Sequence, residues 1–273
     1  MSSIKAEIVA DSISESGKRI TTFFLVYPRM IHSELMTHRV FSRNAASSRA
    51  IPVKKFLKMV LDNPAAPVWW GKNQPGMQAK EELSSWRLWV AKKVWTLASY
   101  FAVFFAWLLS KVDLHKQISN RILEPWFYMQ TIVTATEFDN FYALRRHKDA
   151  QPEIKALADA MWESHNKSSP KLLKQGQWHL PYIKDSDEMT NDPIVLAKYC
   201  TARCCRVSYL NHDGTKPDGK KDLALHDRLL ADGHMSPFEH AATPLFDPQE
   251  QSGNFKGWKQ YRKFIFDEEV FKG

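Results

Sequence analysis

Residues 20–49 read ITTFFLVYPRMIHSELMTHRVFSRNAASSR. The run 20–27 is rich in β-branched and aromatic residues, which predicts a strand. Pro28 then suits the first turn of a helix that runs to about His38 and keeps its apolar residues on one side. The remainder, THRVFSRNAASSR at 37–49, holds three arginines and three serines and no acid. Its backbone and side-chain donors can converge on an anionic ligand.

The whole chain sets the class of protein and the kind of partner. Its 273 residues suffice for one large domain or two small ones, and a hydrophobic content of 44% is that of a globular protein. The formal net charge of +8 favours anionic partners such as nucleotides, phosphorylated cofactors or nucleic acid. Charge alone does not choose among them.

The cysteines and the N-terminal sequence bear on the cellular compartment. Cys200, Cys204 and Cys205 form one short cluster, which is no disulfide framework and indicates a reducing compartment. Zinc thiolates are an alternative, but the spacing matches no common zinc pattern, so we expect buried structural thiols and no metal. The N-terminal sequence lacks the apolar region of a signal peptide. We therefore expect a cytoplasmic protein.

Residues 94–110 read VWTLASYFAVFFAWLLS, seventeen mostly apolar residues without a charge. A membrane span usually takes about 20 residues. The flanks are basic at both ends and give little orientation signal. The pattern from residue 80 onward predicts one long helix, which is either inserted in a membrane or buried by its own fold or by other subunits. We expect burial within an assembly and no membrane partner, and a membrane anchor remains the alternative.

Further elements follow on both sides of this helix. The run 61–79 is rich in proline and glycine and predicts a loop. The helical pattern is expected to continue through 119–145, with a kink or break at Pro125. The run 149–165 has apolar residues at helical spacing and predicts an amphipathic helix, and 166–192 predicts mostly loop.

The C-terminal third predicts two helices and a helix start. Asp192 is suited to cap a helix that begins at Pro193, and Gly233 is suited to end a second helix. In GHMSPFEH at 233–240, Ser236 and Glu239 match a capping box with a proline between them. This pattern predicts a well-defined helix start, with a histidine before it and another at its end.

Three segments together resemble the flavin-dependent thymidylate synthases. THRVFSRNAASSR is similar to the family signature R-H-R-x-x-S-x-N-x-x-S-x-R. GHMSPFEH, with the preceding ARCCRVSY at 202–209, resembles a second hallmark, and NRILEPWFYMQTIVTATEFDNFYALRRHKDAQPEI at 120–154 resembles a third. The resemblance implies an α/β (α+β) fold with a small sheet and long helices. We expect one domain over 1–273 with a loop and helix insertion at about 58–112.

The order of the three segments differs from that of the family. The Pro-Phe-Glu-His segment precedes the arginine and serine cluster in the family, whereas here it comes last. This order predicts a circular permutation, which a fold tolerates when its termini lie close together at the surface.

The resemblance also implies an activity. Members of the family use FAD and NADPH to move a one-carbon unit from methylenetetrahydrofolate to C5 of deoxyuridylate (dUMP), giving dTMP, and they assemble as homotetramers. No protein cysteine acts as nucleophile, so the protein binds phosphates, orients the rings and stabilises charge on the pyrimidine. Two alternatives stay open: hydroxymethylation of dUMP or dCMP at the same site, and a non-catalytic accessory protein that binds nucleotides or nucleic acid.

Site residues follow from positions that match the family's motifs. Arg49 offers a planar fork for phosphate, and Arg145 could stabilise an enolate at the carbonyl next to C5. Catalytic roles are implied for Ser47 and Arg145, and substrate binding for Ser47, Ser48, Arg49, Arg121 and Arg145. Cofactor binding is implied for His38, Arg39, Asn44, Asn140, Ser208, His234 and Ser236. No role is assigned to His32, His115, His147, His165, His179, His212 or His226.

Several positions depart from the family pattern. Glu34 stands where the family has glutamine, and this acid would repel a phosphate unless it points elsewhere. The C-terminal residues Gln260 and Arg262 could restore missing groups, and a changed substrate is the competing explanation. The other departures are Thr37 for arginine, Ala45 for glutamate, Thr134 for asparagine and Thr136 for arginine.

Overall fold

A five-stranded sheet forms the centre of the computed structural model, which describes residues 4–184, 190, 192–208, 210–211 and 214–265. The strands lie in the order β3-β4-β2-β1-β5, and only β5 is parallel to its neighbour. Their bounds are β1 Lys5–Ser14, β2 Arg19–Pro28, β3 Ser42–Ala45, β4 Tyr128–Ala135 and β5 Lys171–Leu173. Four short strands near the C-terminus pair separately: β6 Ala242–Pro244 with β9 Trp258–Gln260, and β7 Gln251–Ser252 with β8 Phe255–Lys256.

The helices lie on both faces of this sheet. The connection from β3 to β4, residues 46–127, contains three of them, and the expected insertion at 58–112 falls inside it. The bounds are α1 His32–Met36, α2 Val53–Asp62, α3 Ser85–Lys111, α4 Lys116–Ser119, α5 Asp139–Arg145, α6 Pro152–Lys167, α7 Pro193–Cys205 and α8 Gly219–Ala231. The predicted mixture of a small sheet and long helices is confirmed.

One face of the sheet packs against α6. Because side chains alternate along a strand, Phe23 and Leu25 of β2 point to this face. They share a buried core with Ile154 and Leu157, which lie three residues apart on α6. The amphipathic helix predicted from 149–165 is therefore confirmed, and its apolar side faces the sheet.

The opposite face packs against α7, α8 and the C-terminal segment. Ile132 of β4 lies in a core with Cys200, Phe238 and Tyr261. The side chain of Asp192 accepts from the backbone N–H of Ile194, as expected of a helix cap. Both helices predicted after residue 192 are confirmed, as α7 and α8. His212 lies outside the described residues.

The prediction of helix through 119–145 is wrong in its centre. Residues Asn120–Trp126 form 3-10 turns, and Tyr128–Ala135 is a strand that pairs with β2 on one side and β3 on the other. The strand is rich in threonine, isoleucine and valine, which fit a pleated sheet better than a helix. Only Asp139–Arg145 is helical as expected.

Two further expectations at element ends are corrected. The helix after Pro28 stops at Met36 and is preceded by a 3-10 turn at Arg29–Ile31. The helix start predicted at Ser236 is one 3-10 turn, Ser236–Glu239, without a side-chain cap. Glu239 instead accepts from the guanidinium of Arg262 at 2.5 Å, so a tertiary contact replaces the local capping box.

Candidate functional site

Arg145 lies at the end of α5 in a set of mutually bonded groups. Its Nε donates to Nε2 of His38 at 2.9 Å, and its NH1 donates to Oε2 of Glu34 at 3.1 Å. Its NH2 makes a weaker contact of 3.4 Å with Oγ1 of Thr37. We call Glu34, Thr37, His38, Arg43 and Arg145 the closed cluster, because most of its charge is paired within the protein.

His38 is neutral in this cluster. Burial, together with the nearby charges of Arg145 and Arg43, lowers the pKa of its imidazole to about 4. Since Nε2 accepts from Arg145, the ring proton lies on Nδ1. The ring also packs edge-on against Phe141, with centroids 4.9 Å apart. His38 therefore acts as an oriented acceptor rather than as a cation.

Arg43 fixes the loop that carries His38. It lies on β3, and its NH1 donates to the backbone oxygens of Met36 at 2.7 Å and of His38 at 3.2 Å. Burial lowers the pKa of Arg43, but its proximity to Glu239 opposes that shift. These bonds satisfy carbonyl groups at the end of α1, so the guanidinium serves the backbone.

A second group of side chains surrounds Glu124. Ser48 Oγ donates to Oε1 of Glu124 at 2.5 Å, and NH1 of Arg121 donates to the same oxygen at 2.8 Å. NH2 of Arg29 lies 3.0 Å from the other carboxylate oxygen. Sequence analysis missed Glu124, although it lies inside the third motif. Its single negative charge is shared by two arginines, and it also accepts from the buried Ser48.

Ser47 and Arg49 flank Ser48 in the chain, and their side chains are exposed. No hydrogen bond or ion pair of the Ser47 hydroxyl or the Arg49 guanidinium is found in the described part of the chain. We call Ser47, Ser48, Arg49, Arg121 and Glu124 the open cluster, because it presents free donors to solvent. An anion that approaches them meets a carboxylate whose charge is already paired.

His32 lies between the two clusters. Its Nδ1 is 2.8 Å from the hydroxyl oxygen of Tyr27. Burial and the charges of Arg29 and Arg43 lower the pKa of His32 to about 4, against an opposing effect of Glu124. The imidazole therefore senses charges from both clusters. No role was assigned to His32 from the sequence, because Arg43 and Glu124 are brought to it only by the tertiary fold.

Three of the predicted cofactor residues lie on or near α5. Asn140 on α5 lines a cavity of about 460 Å³, together with Val40 and Thr136. His38 and Arg39 directly precede Val40 in the chain. Arg39 is exposed and has no side-chain partner within the described ranges. The structure thus places His38, Arg39 and Asn140 along one region, next to Arg145.

The other four predicted cofactor residues lie on the opposite face of the sheet. Asn44 of β3 donates through Nδ2 to the backbone oxygen of Cys204 at 3.4 Å, while its Oδ1 is buried without a partner. Ser208 follows α7 and donates to the backbone oxygen of Leu210. His234 and Ser236 are exposed, and the turn that contains Ser236 contacts β3. Within the described ranges, no hydrogen bond or ion pair joins these four residues to Arg145.

The sequence model of a family described as thymidylate synthase complementing protein matches residues 19–171, more than half of the chain. The chain belongs to this family. The matched range contains the closed cluster, the open cluster and Asn140. The Pro-Phe-Glu-His segment lies outside it, so the permuted order stays a prediction.

Two solved structures are among those to which the chain is similar. The UMP/dUMP methylase PolB from Streptomyces cacaoi, bound with 5-Br UMP, is similar with a TM-score of 0.53 and 19% identity over 61% of this chain and 90% of that chain. The flavin-dependent thymidylate synthase ThyX from Helicobacter pylori, complexed with FAD and dUMP, gives a TM-score of 0.39 and 16% identity over 54% and 67%. No curated protein sequence matches the chain. The likeness to PolB shows a shared fold.

The positions that depart from the family pattern are explained in part by their partners. Glu34 points at Arg145, so its charge is paired within the protein. Thr134 is buried between Oγ1 of Thr22 at 2.7 Å and Nδ1 of His240 at 2.8 Å. Nε2 of His179 lies 2.8 Å from the same Thr22 hydroxyl, so Thr134 belongs to a buried series of hydrogen bonds.

Gln260 and Arg262, the C-terminal residues that could restore missing groups, both bond to other residues of the protein. Gln260 is buried, and its Nε2 donates to Oγ of Ser42 at 3.1 Å and to Oδ1 of Asn254 at 2.8 Å. Arg262 donates to Glu239. Both side chains therefore connect the C-terminal segment to its neighbours, with Gln260 supporting β3 directly.

Proposed function

We propose that this protein transfers a one-carbon unit to C5 of a pyrimidine deoxynucleotide, in the simplest case converting dUMP to dTMP. The observation that carries the proposal is the open cluster, within the part of the chain that matches the family. Its exposed Ser47 and Arg49 are suited to a phosphate monoester. A planar guanidinium can bind two phosphate oxygens at once, and an adjacent hydroxyl adds a third bond.

Arg145 is the group proposed to act on the base. Its Nε and NH1 are held by His38 and Glu34, which fixes the plane of the guanidinium. NH2 makes only the long contact with Thr37, so this donor is available to a pyrimidine carbonyl. A donor placed there would stabilise negative charge that develops when C5 reacts. Glu34 and His38 are then positioning residues.

FAD is the cofactor that we propose, with NADPH as reductant and methylenetetrahydrofolate as carbon donor. Bound flavin would carry the one-carbon unit and supply redox chemistry that no side chain offers. The residues present fit such a group in kind. His38 and Asn140 supply neutral polar groups and Arg39 an unpaired cation, and Asn44 has a buried carbonyl oxygen that lacks a partner.

Completion of the site by a second chain is part of the proposal. The predicted cofactor residues lie on two faces of one sheet, and the cavity at Asn140 is about 460 Å³. A dinucleotide that touches only one of these faces could gain its remaining contacts from a neighbouring subunit. We therefore propose a homo-oligomer, as the resemblance to homotetrameric enzymes implies, in a reducing cytoplasmic compartment.

The test begins with the visible absorption spectrum after the protein has been loaded with FAD and excess FAD has been removed by gel filtration. A retained flavin spectrum is expected. Tritium release from C5 of labelled dUMP and of labelled dCMP would then identify the substrate, and the product mass would distinguish methyl from hydroxymethyl. A protein that binds dUMP but neither retains flavin nor releases tritium would overturn the proposal in favour of a non-catalytic accessory protein.

A further inference from the structure

Helix α3 presents a wide apolar face to solvent. Trp86 and Trp89 are 66% and 62% exposed, and Phe101 and Phe105 are 55% and 51% exposed. The exposed positions recur at intervals of three and four residues, so they lie on one side of the helix. The exposed large apolar residues of α3 are Trp86, Trp89, Val90, Val94, Leu97, Tyr100, Phe101, Phe104, Phe105, Trp107 and Leu108.

The other side of α3 is fixed to the rest of the protein. Ala102 and Ala106 are buried in the core that also contains Phe56 of α2. Indole Nε1 of Trp95 donates to the backbone oxygen of Ala65 at 2.8 Å. By length and composition α3 could cross a membrane. A helix that is packed into a folded domain along one side cannot be surrounded by lipid, so a span does not fit this arrangement.

The charges that helix α3 itself carries all have one sign. Ser85–Lys111 contains four lysine or arginine residues and no acid. Three of these cations lie over indole rings of the exposed face: Arg87 at 5.5 Å from the centroid of Trp86, Lys93 at 5.9 Å from Trp89, and Lys111 at 5.6 Å from Trp107. The face is thus bordered by positive charge at both ends of the helix.

We infer that α3 docks the protein on the surface of an anionic lipid bilayer. A helix in this mode lies in the plane of the interface, with its apolar side chains at the boundary of headgroups and acyl chains. Tryptophan and tyrosine favour that boundary, and lysine and arginine bind anionic headgroups. The inference does not depend on the proposed reaction, since it uses no residue of either cluster.

Charge also distinguishes the bilayer from a second copy of the chain. In a two-fold symmetric interface the same patch occupies both sides. Two copies of α3 packed face to face would bring together cations that have no acids of α3 to pair with. Anionic headgroups supply the missing negative charge. The burial of 94–110 in an assembly, expected from the sequence, is therefore the competing outcome.

Vesicle flotation of the full chain tests the inference. We expect the protein to float with vesicles of phosphatidylcholine and phosphatidylserine, to float less at high salt, and to float little with phosphatidylcholine alone. Tryptophan emission should shift to shorter wavelength when the anionic vesicles are added. Absence of flotation with either vesicle would overturn the inference.

Two pairs of variants separate specific docking from general stickiness. Phe101→Glu with Phe105→Glu should abolish flotation, whereas Phe246→Glu, at an exposed position outside α3, should leave it unchanged. Lys92→Gln with Lys93→Gln should weaken binding to anionic vesicles several-fold, whereas Lys220→Gln with Lys221→Gln on α8 should not. All the altered side chains are exposed, and unchanged melting temperatures would show that folding is intact.

Analytical ultracentrifugation distinguishes the competing outcome. If the Phe101→Glu, Phe105→Glu variant dissociates an oligomer and the unaltered protein does not float, the face is a subunit interface and the inference is wrong. If the variant keeps the oligomeric state of the unaltered protein and loses flotation, the face binds lipid.

Discussion

The open and closed clusters are built around the same short segment, yet they differ in what they leave free. In the closed cluster Arg145 is bonded to Glu34 and His38, so its charge is largely satisfied within the chain. In the open cluster Ser47 and Arg49 have no such partners in the described ranges. The number of arginines and serines in a stretch of sequence therefore does not show how many of them are free to bind a ligand. That depends on the neighbours that each side chain has in the folded protein.

The largest effect is expected from removing the free guanidinium of the open cluster. Arg49→Ala should weaken dUMP binding by about 2 kcal/mol, or on the order of 30-fold, because one charge-assisted contact to phosphate is lost. Calorimetric titration measures this change. Arg228→Ala, an exposed arginine on α8, is the matched control and should bind normally. Equal affinity in the two variants would show that the phosphate binds elsewhere.

A smaller effect is expected from neutralising the carboxylate that the open cluster surrounds. Glu124→Gln should lower the free energy of unfolding by about 1 kcal/mol, since Ser48 and two arginines lose a charged acceptor. It should also tighten dUMP binding, because Arg121 becomes free to meet the phosphate. Asp159→Asn, which breaks another ion pair with two cations, should reduce stability without raising affinity. A loss of affinity in Glu124→Gln would contradict this account.

The closed cluster can be opened by one conservative change. Glu34→Gln restores the family's residue and removes the charge that faces Arg145 at 3.1 Å. Because both side chains are partly exposed, we expect only about 0.5 kcal/mol, a two- to threefold tighter binding of dUMP. The same change in the background of Arg145→Ala should have no such effect. A gain that persisted in that background would place Glu34 against the nucleotide itself.

The smallest effect is expected on the pH dependence of stability, through His38 of the closed cluster. Burial depresses the pKa of His38 to about 4, below the ordinary value of 6.5, so the unfolded chain binds a proton that the folded chain does not. Stability from this group is complete above pH 6.5 and falls as the pH is lowered towards 4. A proton taken up on unfolding changes the free energy of unfolding by at most about 1.4 kcal/mol per pH unit. His38→Gln should remove part of that slope. Denaturant unfolding between those pH values measures it, and an unchanged slope would contradict the neutral assignment.

Local patterns revealed much of the fold. Periodicity or composition predicted the strand at 20–27, the helix at 149–165 and the long helix from residue 80 onward, and the structure contains them as β2, α6 and α3. β4 was missed because its central position in the sheet makes it nearly uniformly buried. A short buried strand shows little alternation and is easily joined to the helices around it.

The site was predictable only in its composition. Motif matching identified Arg49, Arg145 and Asn140, and all three lie in the range that the family model matches. It could not assign partners, because the contacts of Glu34 with Arg145 and of Glu124 with Ser48 depend on tertiary packing across many residues. The capping box predicted at Ser236 is absent for the same reason, because Glu239 accepts from the distant Arg262 and not from a nearby backbone N–H.

β3 is an edge strand, and it joins its single neighbour β4 through the long connection 46–127. A strand whose backbone is paired on one side only can detach more easily than one paired on both sides, without unfolding the rest of the sheet. The length of the connection adds little to the entropy cost of its return. Amide protons of β3 should therefore exchange with solvent sooner than those of β2, which is paired on both sides. Both clusters adjoin β3, so bound substrate should slow the amide exchange of this strand. Binding at the site would then be coupled to whether β3 is paired with the sheet.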